Sequence, residues 1–287
     1  MKRVIALGFF DGVHLGHAAL LNKARQEAQR LGCAAAALTF DHHPDEVIFG
    51  KKTPLLNTLP QRERLMKEDF GMDEVITLPF DRAMMQMPWQ QFVQEVLCDR
   101  FDAQAVVCGH DFTFGHRGEG NAQKLCEVFG ENCHVIEAVE LDGEIVSSTR
   151  IRELLQKGEI EQAGKMLGRA HFMEGTVIHG KHLGRKLGIP TANILLPEGV
   201  VEPAYGVYAT LVNGYKAVTN VGIRPTLDDG EAPTMESFLL EFRGDLYGKT
   251  IQVQLLHFLR PEIKFSSVAQ LKEQIAADAE KTKTLLM

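Results

Sequence analysis

Five short, continuous apolar runs in the first half of the chain predict strands that are buried on both faces. The runs are RVIALGFF from Arg3, CAAAALTF from Cys33, EVITLPF from Glu74, AVVCGHDF from Ala105 and HVIEAVEL from His134. Helical patterns separate them, and one of these begins at His17 and ends at Gly32, which is a natural C-terminal cap. The alternation predicts a parallel sheet covered by helices, and such sheets bind ligands beyond the carboxyl ends of their strands.

Short strands separated by glycine and proline replace this pattern in the second half. They begin near Phe172, Thr191, Gly206, Tyr215, Met235 and Ile251, and a helix follows from about Ser267. Such strands predict a small antiparallel β-barrel with a terminal helix. We therefore predict an α/β protein with two domains, residues 1–155 and 170–287, joined by a helical connector at residues 156–169.

Charge and cysteine usage narrow the classes of function. The formal net charge of −7 argues against non-specific binding to nucleic acid or to an anionic membrane. The five cysteines are unevenly spaced and form no C-x-x-C pair, so we expect neither a zinc ribbon nor a disulfide framework. The N-terminal segment has no signal-peptide pattern, and no apolar run approaches the ~20 residues of a membrane span. We therefore expect a cytoplasmic protein.

The stretch GFFDGVHLGH, from Gly8 to His17, lies where the first predicted strand ends and the first predicted helix begins. His14 and His17 share one face of the first helical turn, where unpaired backbone N–H groups attract anions. Gly16 removes the side chain between them, so that a phosphate can approach the backbone. Two such donors can stabilise charge during phosphoryl chemistry. The alternatives are two surface histidines or, with less support because no third ligand has a recognisable spacing, a zinc pair.

Two later segments of the first half also point to phosphate. In VCGHDFTFGHRGEGN, Gly115 and Gly120 have the spacing of a Walker A loop, but Asn-Ala follows where that loop needs Lys and Ser or Thr. A glycine-rich hairpin after the fourth strand is the remaining interpretation. In SSTRIRELL, Ser147, Ser148 and Thr149 can cap a helix, and Arg150 and Arg152 lie in its first turn. Simple solvent exposure of these arginines is the alternative to a bound anion, which would favour cations there.

The barrel contributes two candidate features. The segment HGKHLGRKLGIPTAN combines glycines with Arg185, which can neutralise phosphate, and with Thr191 and Asn193, whose oxygens suit Mg²⁺. A plain polar loop is the alternative. If TMESFLLEF alternates as a strand, Glu236 shares an apolar face with Phe238 and needs a partner or a task. Accepting the proton of a primary alcohol is one such task, although a bulge could turn Glu236 to solvent.

The motifs of both halves resemble known families. GFFDGVHLGH resembles the nucleotide-binding motif of the nucleotidyltransferase superfamily, and GxDFxFGxxxxG and SSTRIRELL resemble the next motifs of prokaryotic FAD synthetases. EGTVIHGKHLGRKLGIPTANI is similar to the long motif of the riboflavin kinase domain, and NVGIRPT, ESFLLEF, DLYG and LRPEIKF follow in that family's order. The resemblance covers nearly the whole chain and identifies it as similar to bifunctional riboflavin kinase/FMN adenylyltransferases.

This resemblance implies two reactions. ATP phosphorylates riboflavin to FMN in the barrel, and a second ATP gives its AMP portion to FMN in a Rossmann-like nucleotidyltransferase domain, which yields FAD and pyrophosphate. It implies Mg²⁺ as cofactor and small-molecule substrates as partners, without nucleic acid or membrane, and a homo-oligomer is compatible with it.

The resemblance also assigns residues. Glu236, His14 and His17 carry the catalytic roles, with Glu236 as the kinase base. The implied ATP site of the adenylyltransferase comprises Gly8, Phe10, Asp11, His14, Gly16, His17, Asp111, Ser148 and Arg152. The implied ATP site of the kinase comprises Gly180, Gly184, Arg185, Thr191 and Asn193, of which Thr191 and Asn193 would hold the metal. The implied flavin contacts are His43, Pro44, Arg260 and Phe265.

Two departures from the family pattern affect expected nucleotide affinity, not reaction class. Phe9 stands where many FAD synthetases have Asn, and the lead before the first strand is short. Two alternative functions stay open: a monofunctional enzyme whose other domain regulates it by binding flavin, and an RNA-binding relative of class I aminoacyl-tRNA synthetases. Intact motifs in both halves argue against the first, and the acidic balance with no K-M-S-K-S-like loop argues against the second.

Overall fold

The computed structural model describes residues 1–178, 190–225 and 231–287. Contacts within the chain divide it into two compact units, Met1–Ser148 and Thr149–Met287. Within the described ranges, no helix combines the length and the apolar character that a membrane span requires. The domain limits expected from the sequence, including the connector at residues 156–169, stay a prediction.

The first unit is built on the predicted parallel sheet. Its strands are β1 (Arg3–Leu7), β2 (Ala34–Phe40), β3 (Glu74–Leu78), β4 (Ala103–Gly109), β5 (Thr113–Phe114), β6 (Gly120–Asn121), β7 (Cys133–Ile136), β8 (Glu140–Leu141) and β9 (Glu144–Ile145). Five of them form one sheet in the order β3-β2-β1-β4-β7 with parallel pairing. All five apolar runs therefore form the strands that the sequence predicts. The strand order reverses direction at β1, so the carboxyl end of β1 lies at a switch point suited to ligand binding.

Helices cover this sheet. They are α1 (Leu15–Leu31), α2 (Pro44–Phe49), α3 (Leu59–Glu68), α4 (Arg82–Gln86), α5 (Trp89–Gln91), which continues as a π-helical segment (Phe92–Arg100), and α6 (Ala122–Phe129). α1 ends at Gly32, which has φ +64° and whose N–H donates to Ala28 O, as the sequence predicts. The core packs strand residues such as Ile5 and Leu38 against Leu97 and Leu125.

Cysteine pairing differs from the expectation. Cys126 in α6 and Cys133 at the start of β7 form a disulfide, with their Cα atoms 4.9 Å apart. The two residues are seven positions apart and form no C-x-x-C pair, but a short turn between helix and strand brings them together. Cys108 is buried in the core, as expected for a small apolar side chain.

The second unit is the predicted antiparallel barrel. Its helices α7 (Ser148–Lys157) and α8 (Ile160–Leu167) precede the strands, α7 beginning at the boundary residue. The strands are β10 (His171–Thr176), β11 (Ala192–Leu195), β12 (Gly206–Val212), β13 (Tyr215–Pro225), β14 (Glu231–Leu239) and β15 (Thr250–Arg260). They pair in the order β10-β15-β12-β13-β14-β11. A bridge between Ile178 and Asn193 brings the two ends of this order together, so the barrel is nearly closed.

The last helix, α9 (Val268–Leu285), begins at Ser267, whose hydroxyl accepts from Gln270 N at 3.2 Å. A small core of Val207, Val218, Leu240 and Ala279, with Phe238 and Leu259 packed against it, lies between this helix and the outer face of the barrel. The parallel sheet, the antiparallel barrel and the terminal helix together confirm the predicted fold class.

Two candidate active sites

The two histidines of the first unit lie in ring-to-ring contact at the start of α1. His14 is the N-cap residue, and its Nδ1 accepts from the His17 N–H at 3.4 Å. The imidazole rings stack with centroids 3.7 Å apart. Because Nδ1 of His14 accepts a hydrogen bond in this arrangement, the proton of the neutral ring lies on Nε2, which can donate to an anion. The two imidazoles can thus donate hydrogen bonds to an anion at the N-terminus of α1.

Gly16 lies directly against the His14 ring. A Cβ atom at residue 16 would lie 3.1 Å from His14 Cε1 and 3.2 Å from its Nδ1. A side chain there would require the imidazole to shift by a few tenths of an ångström. Close approach of a phosphate to this backbone stays a prediction. The short distance to the His14 ring is a second reason for glycine at this position.

The turn that leads to the histidines is buried and conformationally strained. Phe10 and Val13 have φ values of +57° and +40°, which side chains rarely adopt, and both are fully buried. Such conformations cost on the order of 1–3 kcal/mol each and persist only where surrounding contacts enforce them. Gly8 N donates to Leu38 O at 3.2 Å, and the Phe10 ring lies 5.2 Å from the His17 ring between centroids.

Asp11 anchors this turn to the chain before α3. Its Oδ1 accepts from Leu56 N at 2.8 Å and from Asn57 N at 3.4 Å, and its side chain is buried. Ser148 Oγ donates to Asp11 O at 2.8 Å. The structure therefore brings Asp11, His14, His17 and Ser148 of the predicted ATP site together. The contacts at Leu56 and Asn57 are ones that the sequence did not indicate.

The segment expected to face flavin lies beside this turn. Edge to face, the Phe9 and His43 rings have centroids 4.7 Å apart. His43 is the N-cap residue of α2, with Pro44 as the first helical residue, and its Nδ1 accepts from Asp45 N at 3.2 Å. Phe9, the departure from the family pattern, thus forms an aromatic contact with the His-Pro segment.

The glycine-rich hairpin after β4 is a packing feature. Gly115 has φ +73°, and a Cβ atom there would lie 2.7 Å from Trp89 Cα. This contact explains the glycine without a phosphate. Asp111 lies exposed between β4 and the hairpin, beyond the carboxyl end of the strand next to β1. Its assignment to the ATP site stays a prediction.

Arg152 belongs to the second unit. It lies in α7, where its Nη1 donates to Thr149 Oγ1 at 3.5 Å. Its contact with ATP phosphates stays a prediction.

The barrel brings three predicted kinase residues into one hydrogen-bonded group. Thr191 Oγ1 donates to Glu236 Oε1 at 2.7 Å, and Asn193 Nδ2 lies 3.4 Å from Thr191 Oγ1 as a donor. Asn193 and Glu236 face each other across β11 and β14. Gly180, Gly184 and Arg185 of the same predicted site lie outside the described residues.

The expected burial of Glu236 is wrong, because its side chain is exposed. The interior face of β14 is the alternate set, Met235, Ser237 and Leu239, all buried. Phe238 does share the face of Glu236, and it packs against the small core that includes Ala279 of α9, whereas the side chain of Glu236 two residues earlier is exposed. The sequence pattern could not show where along the strand the helix ends its coverage. The desolvation argument for Glu236 therefore fails, while its contact with Thr191 places it among the predicted ligands.

A second polar pair, Asn220 and Glu262, lies beside Glu236, and the motifs alone did not predict it. Asn220 faces Glu236 across β13 and β14, and its Nδ2 donates to Glu262 Oε1 at 2.9 Å. Both residues lie in stretches quoted for the family resemblance, NVGIRPT and LRPEIKF. Their presence in those motifs is the signal that could have singled them out.

Arg260 ties the barrel to the terminal helix. Its Nη2 donates to Asp278 Oδ2 at 2.8 Å, its Nε contacts both oxygens of that buried carboxylate, and its Nη1 donates to Pro261 O at 3.1 Å. The Phe265 ring centroid lies 5.9 Å from the guanidinium carbon. The flavin contacts assigned to Arg260 and Phe265 stay a prediction, and the observed contacts are structural.

Comparison with known proteins agrees with this two-site arrangement. The family model for FAD synthetase matches residues 1–150, and that for riboflavin kinase matches residues 167–286. Curated proteins named bifunctional riboflavin kinase/FMN adenylyltransferase are similar over nearly the full chain. The protein from Listeria monocytogenes is 35% identical, and the match covers 99% of this chain and 92% of that protein. The proteins from Bacillus subtilis and Escherichia coli K12 are 34% and 35% identical, and each match covers 96% of this chain and 90% of the relative.

A solved structure has the same fold. A crystal structure described as a macrolide-efflux protein from Streptococcus pneumoniae matches with a TM-score of 0.88 and 32% identity, covering 98% of this chain and 94% of that chain. The efflux function in that description is not shared by the family models or the curated relatives, which agree with one another. On the combined evidence of both family models and full-length relatives, the chain belongs to the bifunctional riboflavin kinase/FMN adenylyltransferase family.

Proposed function

We propose that the second unit transfers the γ-phosphoryl group of ATP to the 5′-hydroxyl of riboflavin, and that the first unit transfers the AMP portion of a second ATP to the resulting FMN. The observation that carries this division is the Thr191–Glu236 hydrogen bond, because it sets a candidate base beside candidate metal ligands in a unit separate from the histidine pair. The products are ADP and FMN in the first reaction, and FAD and pyrophosphate in the second.

In the kinase reaction, Glu236 accepts the proton of the riboflavin 5′-hydroxyl while that oxygen attacks the γ-phosphorus and the bond to ADP breaks. Thr191 holds Oε1 of Glu236, which leaves Oε2 for the hydroxyl. Exposure of Glu236 allows the substrate to reach this oxygen directly. The role of Thr191 toward Glu236 is thus to orient the base.

The donors of this group fit Mg²⁺, which prefers oxygen ligands. Thr191 Oγ1 has lone pairs besides its donated proton, and Asn193, whose Nδ2 donates to Thr191, also carries a side-chain amide oxygen. When bound with ATP, Mg²⁺ would neutralise charge on the phosphates. Thr191 and Asn193 would hold it.

In the adenylyl transfer, a phosphate oxygen of FMN attacks the α-phosphorus of ATP and the bond to pyrophosphate breaks. His14 and His17 donate to the phosphates, and the N-terminus of α1 adds backbone N–H groups and the positive end of the helix dipole. Asp11 holds the turn that carries His14. Ser148 donates to Asp11 O, so its direct binding of phosphate would require exchange of that partner. His43 and Pro44 would contact the flavin beside Phe9.

One experiment separates this proposal from its alternatives. The purified chain is incubated with riboflavin, ATP and Mg²⁺, and the flavins are separated by chromatography. Accumulation of FAD supports both reactions, FMN alone supports a monofunctional kinase, and unchanged riboflavin contradicts both. In a parallel sample, FMN replaces riboflavin, so that loss of adenylyl transfer is detected independently of the kinase. The cytoplasmic location, the oligomeric state, the domain limits and the use of Mg²⁺ stay predictions.

A further inference from the structure

A fully buried arginine lies behind the strand ends of the first unit. Arg62 lies in α3 and is the bulkiest of the side chains that the described residues bury completely. A helical arginine is ordinarily exposed, because burial of a cation costs several kcal/mol unless it is well compensated. Its complete burial therefore requires an explanation.

The guanidinium of Arg62 binds the carboxyl ends of two adjacent strands. Its Nη1 donates to Phe9 O at 2.5 Å and to Thr39 Oγ1 at 3.2 Å, and its Nη2 donates to Phe40 O at 3.1 Å. Thr39 Oγ1 also donates to Phe9 O at 2.8 Å. The guanidinium carbon lies 4.3 Å from the centroid of the Phe9 ring. One planar fork thus fixes the carbonyls that follow β1 and end β2.

The charge of Arg62 is compensated incompletely. In the part of the chain that the structure describes, no carboxylate forms an ion pair with it. Burial lowers the pKa of the guanidinium, while the charges of Asp11, Glu63 and Asp41 oppose that change. An apolar side chain of similar volume would avoid this cost, but it would remove the donor that joins the Phe9 and Phe40 carbonyls, so the placement of these two carbonyls is what arginine supplies here.

The bound carbonyl belongs to the residue before the strained turn. Phe9 precedes Phe10, with φ +57°, and Asp11, whose carboxylate accepts from the chain just before α3. This turn is therefore held twice, by Arg62 of α3 on the Phe9 carbonyl and by the Leu56 and Asn57 amides, just before α3, on Asp11. The same turn leads into His14, and the Phe9 ring contacts His43.

We propose that Arg62 is a positioning residue for adenylyl transfer, which fixes the Phe9 carbonyl and thereby the turn that carries His14 and the aromatic contact to His43. This inference rests on the proposed function of the first unit. Arg62 touches no substrate, because it is fully buried. Its effect is on the alignment of FMN and the α-phosphorus, where misplacement by about 1 Å can reduce a rate about 10²-fold.

The test compares Arg62→Lys and Arg62→Met with the parent in the full-length chain. Lysine keeps the charge but cannot bridge two carbonyls with a planar fork, and methionine fills the volume without polar atoms. We expect the kcat for conversion of FMN to FAD to fall roughly tenfold to a hundredfold in both variants. The rate is expressed per FMN-binding site of the first unit, counted by titration after subtraction of the site at which the barrel binds FMN as its product. Riboflavin kinase activity in the same samples should stay within about twofold of the parent, and Lys67→Met, an exposed change in the same helix, should behave as the parent.

Normalisation to binding sites separates positioning from folding. If kcat per FMN site is parental in Arg62→Lys, or if activity falls only in proportion to the number of sites, Arg62 is merely structural and the inference is overturned. If Arg62→Met does not fold, Arg62→Lys decides the question by the same criterion. If the parent itself makes no FAD from FMN, the proposed function fails instead, which keeps the two failures distinct.

Discussion

The two candidate sites differ in the burial of their side chains and in the contacts that fix them. In the first unit, Asp11 and His14 are buried, and backbone amides fix both side chains. In the barrel, Glu236 is exposed and its position depends on one side-chain hydrogen bond from Thr191. The first site is built from one continuous turn between a strand and a helix. The second depends on the pairing of β11 with β14 and on the hydrogen bond between Thr191 and Glu236, which are 45 residues apart in the chain.

This difference predicts how each site responds to change. A site held by buried backbone contacts should lose activity through displacement of whole segments, so that even a residue that touches no substrate matters. In the barrel site, replacement of the exposed Glu236 should remove one chemical group with little effect on folding. Variants that retain shape but remove one function are therefore most informative in the barrel.

Replacement of the candidate kinase base should have the largest effect. Glu236→Gln keeps the shape and can still accept from Thr191, but it cannot take up the hydroxyl proton. We expect the kcat for riboflavin phosphorylation to fall about 10²–10⁴-fold, the usual contribution of a general base. Because the side chain is exposed, stability should hardly change. Flavin chromatography over time measures the rate, and urea unfolding checks the stability.

The control for this variant is Glu198→Gln, which changes another exposed carboxylate of the same unit. It should phosphorylate riboflavin at the parental rate, and both variants should convert supplied FMN to FAD normally. A parental kinase rate in Glu236→Gln would mean that another group accepts the proton, and that the Thr191–Glu236 contact is only structural.

The histidine pair should show the next largest effect, confined to the other reaction. We expect His14→Ala or His17→Ala to reduce the rate of FAD formation from FMN roughly 10²-fold or more, because each removes a phosphate donor. His14→Ala also removes the N-cap of α1, so its thermal unfolding should be measured beside its rate. Riboflavin phosphorylation serves as the internal reference.

A histidine of the same unit but on β7, His134, provides the matched control through His134→Ala. Its rate of FAD formation should stay near the parental value. Equal loss of both activities in a folded His14 or His17 variant would contradict the separation of the reactions between the two units.

The sequence predicts the histidine site more completely than the barrel site, because the first is formed by one continuous segment and the second by segments that are distant in the chain. The turn from Gly8 to His17 is contiguous, so its apolar strand, its glycines and its histidine spacing are visible together. The barrel strands were also predicted, because alternation and turn residues are local signals. The exposure of Glu236 was not predicted, because it depends on where α9 ends its cover over Phe238. That boundary is set by packing between distant segments.

Arg62 shows the other limit of sequence reasoning. On a helix, an arginine is typical of a solvated face, and nothing beside it signals burial. Its environment arises only when α3 packs beneath the ends of β1 and β2. The Cys126–Cys133 pair is similar, since its seven-residue spacing resembles no common motif.

A smaller change in the barrel tests whether Thr191 acts through the metal or through Glu236. Thr191→Ala removes one hydroxyl, and we expect the kinase rate at limiting Mg²⁺ to fall roughly tenfold, a typical effect of losing one hydrogen bond to a charged group. Thr191→Ser should restore most of it. Recovery of Thr191→Ala at high Mg²⁺ would indicate a role in metal affinity, whereas a deficit at every concentration would indicate orientation of Glu236. A parental rate at limiting Mg²⁺ would refute both roles.

The smallest expected effect is on the free energy of unfolding. The pH dependence of this free energy should differ between the two units, because His171 lies in the second one. His171 in β10 is buried, and burial lowers its pKa to about 3. The folded unit therefore keeps this ring neutral, while the unfolded chain takes up a proton below about pH 6.5. Stability is complete above that pH and is lost as pH falls toward 3. Between pH 6 and pH 5 the loss from this residue is about 1 kcal/mol.

The chain allows this loss to be assigned to one unit. All four tyrosines lie in the second unit and the single tryptophan lies in the first, so near-ultraviolet signals report the units separately. The His171 Nε2 has no hydrogen-bond partner among the described residues, so His171→Leu removes a buried polar atom that makes no hydrogen bond. We expect this variant to gain about 1 kcal/mol relative to the parent in the tyrosine transition between pH 6 and pH 5, with the tryptophan transition unchanged. An equal pH dependence in both proteins would show that His171 has the same pKa in the folded barrel as in the unfolded chain. The loss of stability in acid would then arise from other groups.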